Sequence, residues 1–284
     1  MIGLCKVCEI EDFRDPELRA VMREAFDHET VRFGDDFPDL HEYRKYWEVA
    51  MAVHTLRSLG AAHADAEILG VGAGNEATCF VLTREVRRVF ATDLYLSAGW
   101  EESANSSMLT DPHRHWPDDW NDRRLVVQHM NALDLKYEDG SMDGVFSSSS
   151  IEHFGSYEDI GRSMDEVCRV LKPGGIATIS TEFRLGGPAP GFEGAVLFDG
   201  DDILEHVVGS RPWELVSELR TEVSPATLAT EQDFAEAGAD QLRQTAELGG
   251  HFTFRIEYQR YPHLVLRYKD HLFTSVHVAL RKRG

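Results

Sequence analysis

Three glycines on alternating positions, Gly70, Gly72 and Gly74, follow the aliphatic start of EILGVGAGNEATCF, Glu67 to Phe80. Gly72 and Gly74 let the backbone turn sharply from a strand into a helix. Their missing side chains also let a ligand approach the N–H groups at the amino end of that helix. From Ala66 onward the chain keeps this alternation. Short apolar strands are expected at Ile68 to Val71, Val89 to Thr92, Leu125 to Gln128, Gly144 to Ser147 and Ile176 to Ser180, with helical stretches at Asn75 to Val86 and Tyr157 to Leu171. Lys172-Pro173-Gly174-Gly175 stops the second helix. Such alternation predicts a parallel sheet covered on both faces.

Two helices are expected before the turn. Asp15 caps the first, with Pro16 at its first position and Leu18, Val21, Met22, Ala25 and Phe26 along one stripe. Asp39 is expected to cap the second, which carries Tyr43, Trp47, Ala50, Met51 and His54 and closes at Gly60. We read residues 1–62 as a helical cap, a lid or platform, and residues 63–284 as the main domain with an insertion at about 186–260. Within the insertion, GGPAPGFEG reads as a loop and the acidic, Ala-rich run from Ser224 to Leu248 as a solvent-facing helix. Two strands about Lys269-Asp270 are expected to end the chain.

With 49 Asp and Glu against 29 Lys and Arg, the net charge of -20 would repel a phosphate backbone, so nucleic acid is not an expected partner. No apolar run approaches the roughly 20 residues of a membrane helix, and the amino terminus does not read as a secretory signal. A cytoplasmic location is expected. The four cysteines are too few and scattered for a disulfide framework, and Cys5 and Cys8 lack the further ligands of a zinc site.

Gly72 to Ala77 satisfies a dinucleotide fingerprint, so the turn alone fits NAD as well as S-adenosylmethionine. Asp93 ends RVFATDLY, the next strand, at roughly the 20-residue distance where an acid meets ribose hydroxyls, and again fits both. The chain beyond Asp93 separates the two cofactors. Asn131-Ala132, the strand from Asp143 to Ser148, Ile151-Glu152-His153 and Leu171 to Gly175 stand in an order that resembles class I S-adenosylmethionine-dependent methyltransferases over about Ala66 to Phe183. The resemblance implies a Rossmann-like α/β fold with a mostly parallel seven-stranded sheet, an antiparallel last strand in LFTSVHVALRKR, and helical additions at the amino terminus and after the fifth strand. It implies cofactor contacts from Gly70, Gly72, Ala73, Gly74, Asn75, Glu76, Asp93, Leu94 and Ser148, with Asn131 and Ala132 at the adenine. S-adenosylhomocysteine is the implied product. The form LGVGAGNEAT with ATDLY looks like a bacterial subgroup associated with glycan or secondary-metabolite genes.

One departure stands out. The family usually carries Asp or Glu at the position of Gly70, where the carboxylate organises the turn and bears on the methionine end of the cofactor. Glu76 is a nearby carboxylate that can partly take over; otherwise backbone and water alone bind the amino group.

Methyl transfer from a sulfonium is an in-line displacement and depends first on positioning. A sugar or alkyl hydroxyl also wants a base or a metal. His153, after the fourth strand at the ligand-binding edge, is the leading base, with shaping of the loop as its other role. Glu152 and His153 can instead be two ligands of a divalent metal such as Mg²⁺, although Ser149 stands where related metal sites carry an acid. Glu182 lies on the same edge as a hydroxyl ligand or second base. Ser149 and Ser150 are candidate acceptor contacts, because hydroxyls at a strand end need partners. Trp100 and Trp116 suit either stacking on sugar rings or anchoring a long loop.

The expected reaction is O-methylation of a hydroxyl on a sugar, polyol or other small-molecule or glycan acceptor. A phenol, amine or carbon nucleophile of a secondary metabolite is the alternative. An NAD-dependent oxidoreductase and a non-catalytic cofactor-binding module are the readings of another class. Oligomeric state is not readable from the sequence.

Overall fold

β-Branched and aliphatic runs form five parallel strands: β1 (Glu67–Val71), β2 (Arg88–Asp93), β3 (Leu125–His129), β4 (Met142–Ser148) and β5 (Leu171–Gly186). The computed structural model describes residues 2–97, 99, 104–234, 247, 248, 251, 252 and 260–284. Two more strands, β6 (Leu266–Tyr268) and β7 (His271–Lys282), form a hairpin about Lys269, whose φ is 52°. β7 runs antiparallel to β5, from Leu272 opposite Gly186 to Arg281 opposite Ile176. The order across the sheet is therefore β3-β2-β1-β4-β5-β7-β6. Short strands at Lys6–Val7, Trp213–Leu215 and Gln232–Asp233 raise the described sheet to 10 strands, against the seven expected. The order reverses between β1 and β4, which is where an open α/β sheet leaves a crevice at its carboxyl edge.

Five helices cover the sheet: α1 (Pro16–Ala25), α2 (Asp27–Phe33), α3 (Arg44–Ser58), α4 (Ala77–Val81) and α5 (Tyr157–Val170). Alternate β1 residues serve opposite faces, as the pleat requires. Ile68 joins a core with Met22, Trp47, Met51 and Leu56 of α1 and α3, while Leu69 and Val71 join one with Ile160, Met164 and Val167 of α5. His277 of β7 is fully buried and bonds both Thr55 of α3, at 3.2 Å, and Ser180 of β5, at 2.9 Å. Burial holds its imidazole neutral, with the pKa lowered to about 3.

The amino-terminal helices thus share a hydrophobic core with the sheet. α3 packs against β4, β5 and β7, and Lys6–Val7 pairs with β7. The expected cap at Asp15 is present: its carboxylate accepts from the amides of Glu17 and Leu18 at 2.9 and 3.1 Å. Asp39 does not cap α3. It pairs with Arg19, and α3 begins at Arg44 behind Tyr43, which has no side-chain cap bond.

The helix expected over 75–86 is shorter. After α4 the chain tightens into a 3₁₀ turn at Leu82–Arg84, where the Thr83 hydroxyl donates to the Phe80 carbonyl and competes with the helical ladder. In the expected acidic helix, Ser224 caps a single turn at Pro225–Leu228 and Gln232–Asp233 joins the sheet edge instead; residues 235–246 lie outside the described residues. The loop GGPAPGFEG includes the first strand of a small hairpin, Gly191–Phe192 with Ala195–Val196. All four cysteines are free and buried, and no described helix is long and apolar enough to cross a membrane.

Because Leu56 is fully buried against the sheet, Leu56→Ala should cost about 2–5 kcal/mol, read as a lower urea midpoint. A midpoint unchanged from the parent would place α3 outside the core.

Candidate active site

The strand-to-helix turn is held from several sides. Gly72 and Gly74 have φ of 62° and 48°, and a side chain at Gly72 would meet Ser150 Cβ at 2.6 Å. The Ser150 hydroxyl donates to the Gly72 carbonyl, Tyr95 donates to the Gly74 carbonyl at 2.6 Å, and Ala73 N–H donates to Thr92 O at 3.0 Å. Asp93 Oδ2 accepts from Gly74 N–H at 2.8 Å, and Oδ1 accepts from Leu94 N–H at 2.6 Å. Each oxygen keeps a second lone pair for a hydroxyl donor. Burial pushes the Asp93 carboxyl up from its ordinary value, and these two amides oppose that. The turn opens onto a cavity of about 1050 Å³, which Leu94, Asn131, Ala132 and Ser148 also line. Asn131 Oδ1 accepts from Leu133 N–H at 3.0 Å, which fixes the side chain beside the cavity.

Gly70 does not reach the cavity, so its expected cofactor contact is corrected. A Cβ there would lie 2.5 Å from Phe146 Cζ and 2.7 Å from Ala73 Cβ. The ring of Phe146, on the neighbouring strand, occupies the room that an acidic side chain would need. Glu76 supplies a carboxylate on the cavity wall instead. Burial raises its pKa to about 7 against a hydrogen bond from Thr78 at 2.6 Å; Glu48 raises it further, and Ser148 and Lys45 lower it.

The opposite wall comes from α3, β5 and β7. Arg44 Nη1 donates to both oxygens of Glu182, at 2.7 and 2.8 Å, and to Ser275 Oγ at 3.0 Å. Lys45 reaches Glu48 at 3.0 Å and the Ser149 hydroxyl, which in turn donates to Glu48 at 2.8 Å. Arg44, Lys45 and Glu48 were not among the expected site residues. Their only sequence signal is charge at i, i+3 and i+4 on a helix that is otherwise buried. The aromatic rings of Tyr43, Phe192, Phe234 and Phe273 complete this part of the lining.

Several expected roles change here. Burial pulls the Glu182 pKa upward, but Arg44 and Lys45 outweigh it and hold the carboxyl below its ordinary value, so Glu182 is an ion-paired anchor and a poor base. Ser150 lines the cavity and also supports the glycine turn through its bond to the Gly72 carbonyl. Trp116 lines the cavity, yet its ring also stacks on Phe80 at 5.6 Å and packs edge-on to Phe26, so it anchors the loop; Trp100 lies outside the described residues. Glu152 and His153 point to different partners. Glu152 is buried and accepts from Thr181 at 2.8 Å, whereas His153 is exposed at the rim and donates from Nδ1 to the Gly194 carbonyl at 2.6 Å. Among the described residues no three His, Cys, Asp or Glu side chains gather as a metal site.

Residues 69–179 match the family model described as a methyltransferase domain. The chain carries a methyltransferase domain over these residues. This methyltransferase is 18% identical to a geranyl diphosphate methyltransferase solved in complex with S-adenosylmethionine, over 83% of this chain and 85% of that one, with a TM-score of 0.50. It is 19% identical to the cyclase SpnF over 84% and 83% of the two chains, also at 0.50. A candidate sarcosine dimethylglycine methyltransferase from Galdieria sulphuraria is 21% identical over 49% of this chain and 46% of that one, with a TM-score of 0.37. At these identities the two likenesses with a TM-score of 0.50 show the fold alone. The cofactor of this methyltransferase is S-adenosylmethionine, and the NAD reading falls.

The residues present fit that group: a glycine turn, an acid at the end of β2 and a second carboxylate in one cavity. If Phe146 displaces the usual acid, Gly70→Asp should destabilise the methyltransferase by about 1–3 kcal/mol through overpacking. Urea unfolding measures this, and unaltered stability would show that the site has room.

Proposed function

We propose that this methyltransferase moves a methyl group to a hydroxyl of a sugar- or polyol-type small molecule, with His153 taking the hydroxyl proton. The observation that carries the reading is the bond from His153 to Gly194. A carbonyl only accepts, so Nδ1 carries a proton, and in the neutral form of the ring Nε2 is then the acceptor. A base of this kind at the cavity rim is what a hydroxyl nucleophile requires. As the oxygen–carbon bond forms and the carbon–sulfur bond breaks, the displaced proton ends on Nε2.

When bound, S-adenosylmethionine supplies an electrophilic methyl on a sulfonium. Asp93 would hold the ribose hydroxyls, and Asn131 with Ala132 the adenine. Glu76 would hold the ammonium of the methionine end, the part that Gly70 gave up. Ser149, set by Lys45 and Glu48, would meet acceptor hydroxyls. The aromatic wall would exclude water and present faces to a ring.

His153→Ala should lower kcat at least about a hundredfold on a hydroxylated acceptor while leaving cofactor affinity intact. Radiolabelled methyl transfer and calorimetry test this together, and an unaltered kcat removes His153 from the role. Glu76 gives a pH signature. The folded protein keeps this proton to about 7, above the ordinary 4.5, so the contribution to folding is full below 4.5 and is lost as pH rises to 7. An ammonium ligand prefers the ionised form, so affinity for S-adenosylmethionine should rise between pH 6 and 8. In Glu76→Gln that rise should vanish and affinity should fall about tenfold. A pH-independent affinity in the parent protein would assign the ammonium elsewhere.

A further inference from the structure

Charge is distributed unevenly over the cavity, whose lining includes seven carboxylates against two permanent cations, Arg44 and Lys45, and the imidazole of His153. Glu76 and Asp93 lie on the cofactor side. Arg44 is engaged by Glu182 and Lys45 by Glu48. Asp159 caps its own helix and faces Arg162 at 3.8 Å. That leaves Glu152 in the interior and Glu193 on the exposed tip of the hairpin at the mouth.

Glu152 is 1% exposed. Its Oε2 accepts from Thr181, but its Oε1 meets no donor among the described residues. Buried carboxylate oxygens normally find partners, because leaving one unmet forfeits its hydration. Burial accordingly pushes the Glu152 pKa up, with His153 opposing and Glu182 reinforcing it. The cofactor's own donors are its ribose hydroxyls, adenine amine and ammonium, which the reading above gives to Asp93, Asn131 and Glu76, and its sulfonium has none. The missing partner is a donor brought by the acceptor. The rings of Phe192 and Phe273, with centroids 5.9 Å apart, offer on the same cavity the π faces that attract a cation.

We propose that the acceptor carries a protonated amine, bound at Glu152, in addition to the hydroxyl that is methylated; its class is the amino sugars and aminocyclitols. The inference rests on the hydroxyl-methylation reading for the fate of the methyl group, and on the charge arrangement for binding. A neutral sugar can offer Glu152 Oε1 only an uncharged hydroxyl, a weaker donor to a carboxylate than an ammonium, and an anionic one adds a fourth negative group beside Glu152, Glu182 and Glu48.

The test uses the full chain saturated with S-adenosylhomocysteine and titrated calorimetrically with glucosamine, glucose, glucuronate, 2-deoxystreptamine and myo-inositol. The amines should bind at least about tenfold tighter than their neutral counterparts, with glucuronate weakest. Glu152→Gln keeps an acceptor for Thr181 and should bring the amines down to the neutral level while S-adenosylhomocysteine affinity stays the same. Equal binding of neutral members, no binding by either amine, or a preference that survives Glu152→Gln overturns the proposal. Mass spectrometry of turnover products separates the two readings. A methyl on nitrogen sinks hydroxyl methylation and leaves the amine site standing, whereas hydroxyl methylation with no preference for amines does the reverse.

Discussion

The buried ion pair of Arg44 with Glu182 joins the first turn of α3 to the ends of β5 and β7, and the acceptor side of the cavity is built around it. Such a pair adds little net stability, because both charges lose water, but leaving one partner alone costs several kcal/mol. It therefore acts as a register pin. Only one seating of α3 satisfies Arg44, Ser275 and Glu48 together, and that seating also brings Lys45 over Ser149. The cofactor cradle comes from the strand-to-helix turn; the wall facing it comes from a helix placed before the sheet in the chain.

The glycine turn itself shows how a carboxylate can change address without leaving a site. Phe146 fills the face of Gly70, so the acidic group at that strand position is excluded on steric grounds. Glu76, six residues on at the start of α4, is held by Thr78 and sits close enough to Glu48 and Lys45 to feel both charges. The two halves of the cavity are therefore electrostatically continuous.

The sheet was legible in the sequence because its signals are local. Aliphatic runs of four to six residues, glycine turns and a proline stop mark β1 to β5 within a residue or two, except that β5 runs longer at both ends. Asp93 and the Gly72 turn were legible for the same reason. What escaped depends on distant partners. Asp39 looks like a helix cap until Arg19 claims it, and Glu182 looks like a free base until Arg44 arrives from 138 residues away. Nor does the sequence show that the Ser150 hydroxyl also bonds the Gly72 carbonyl. The hairpin carrying Phe192 and Gly194 read as loop because each strand is only two residues long and offers no period to detect.

The contact between His153 and Gly194 ties the protonation pattern of a ring to the position of a two-stranded flap. With the hairpin in place, Nδ1 donates to the peptide carbonyl, and in the neutral form of the ring Nε2 is the acceptor. Lifted, the hairpin would leave the imidazole to divide its proton between both sites. If His153 takes the acceptor's proton as proposed, any displacement of residues 191–196 would therefore also change which of its two nitrogens holds the ring proton.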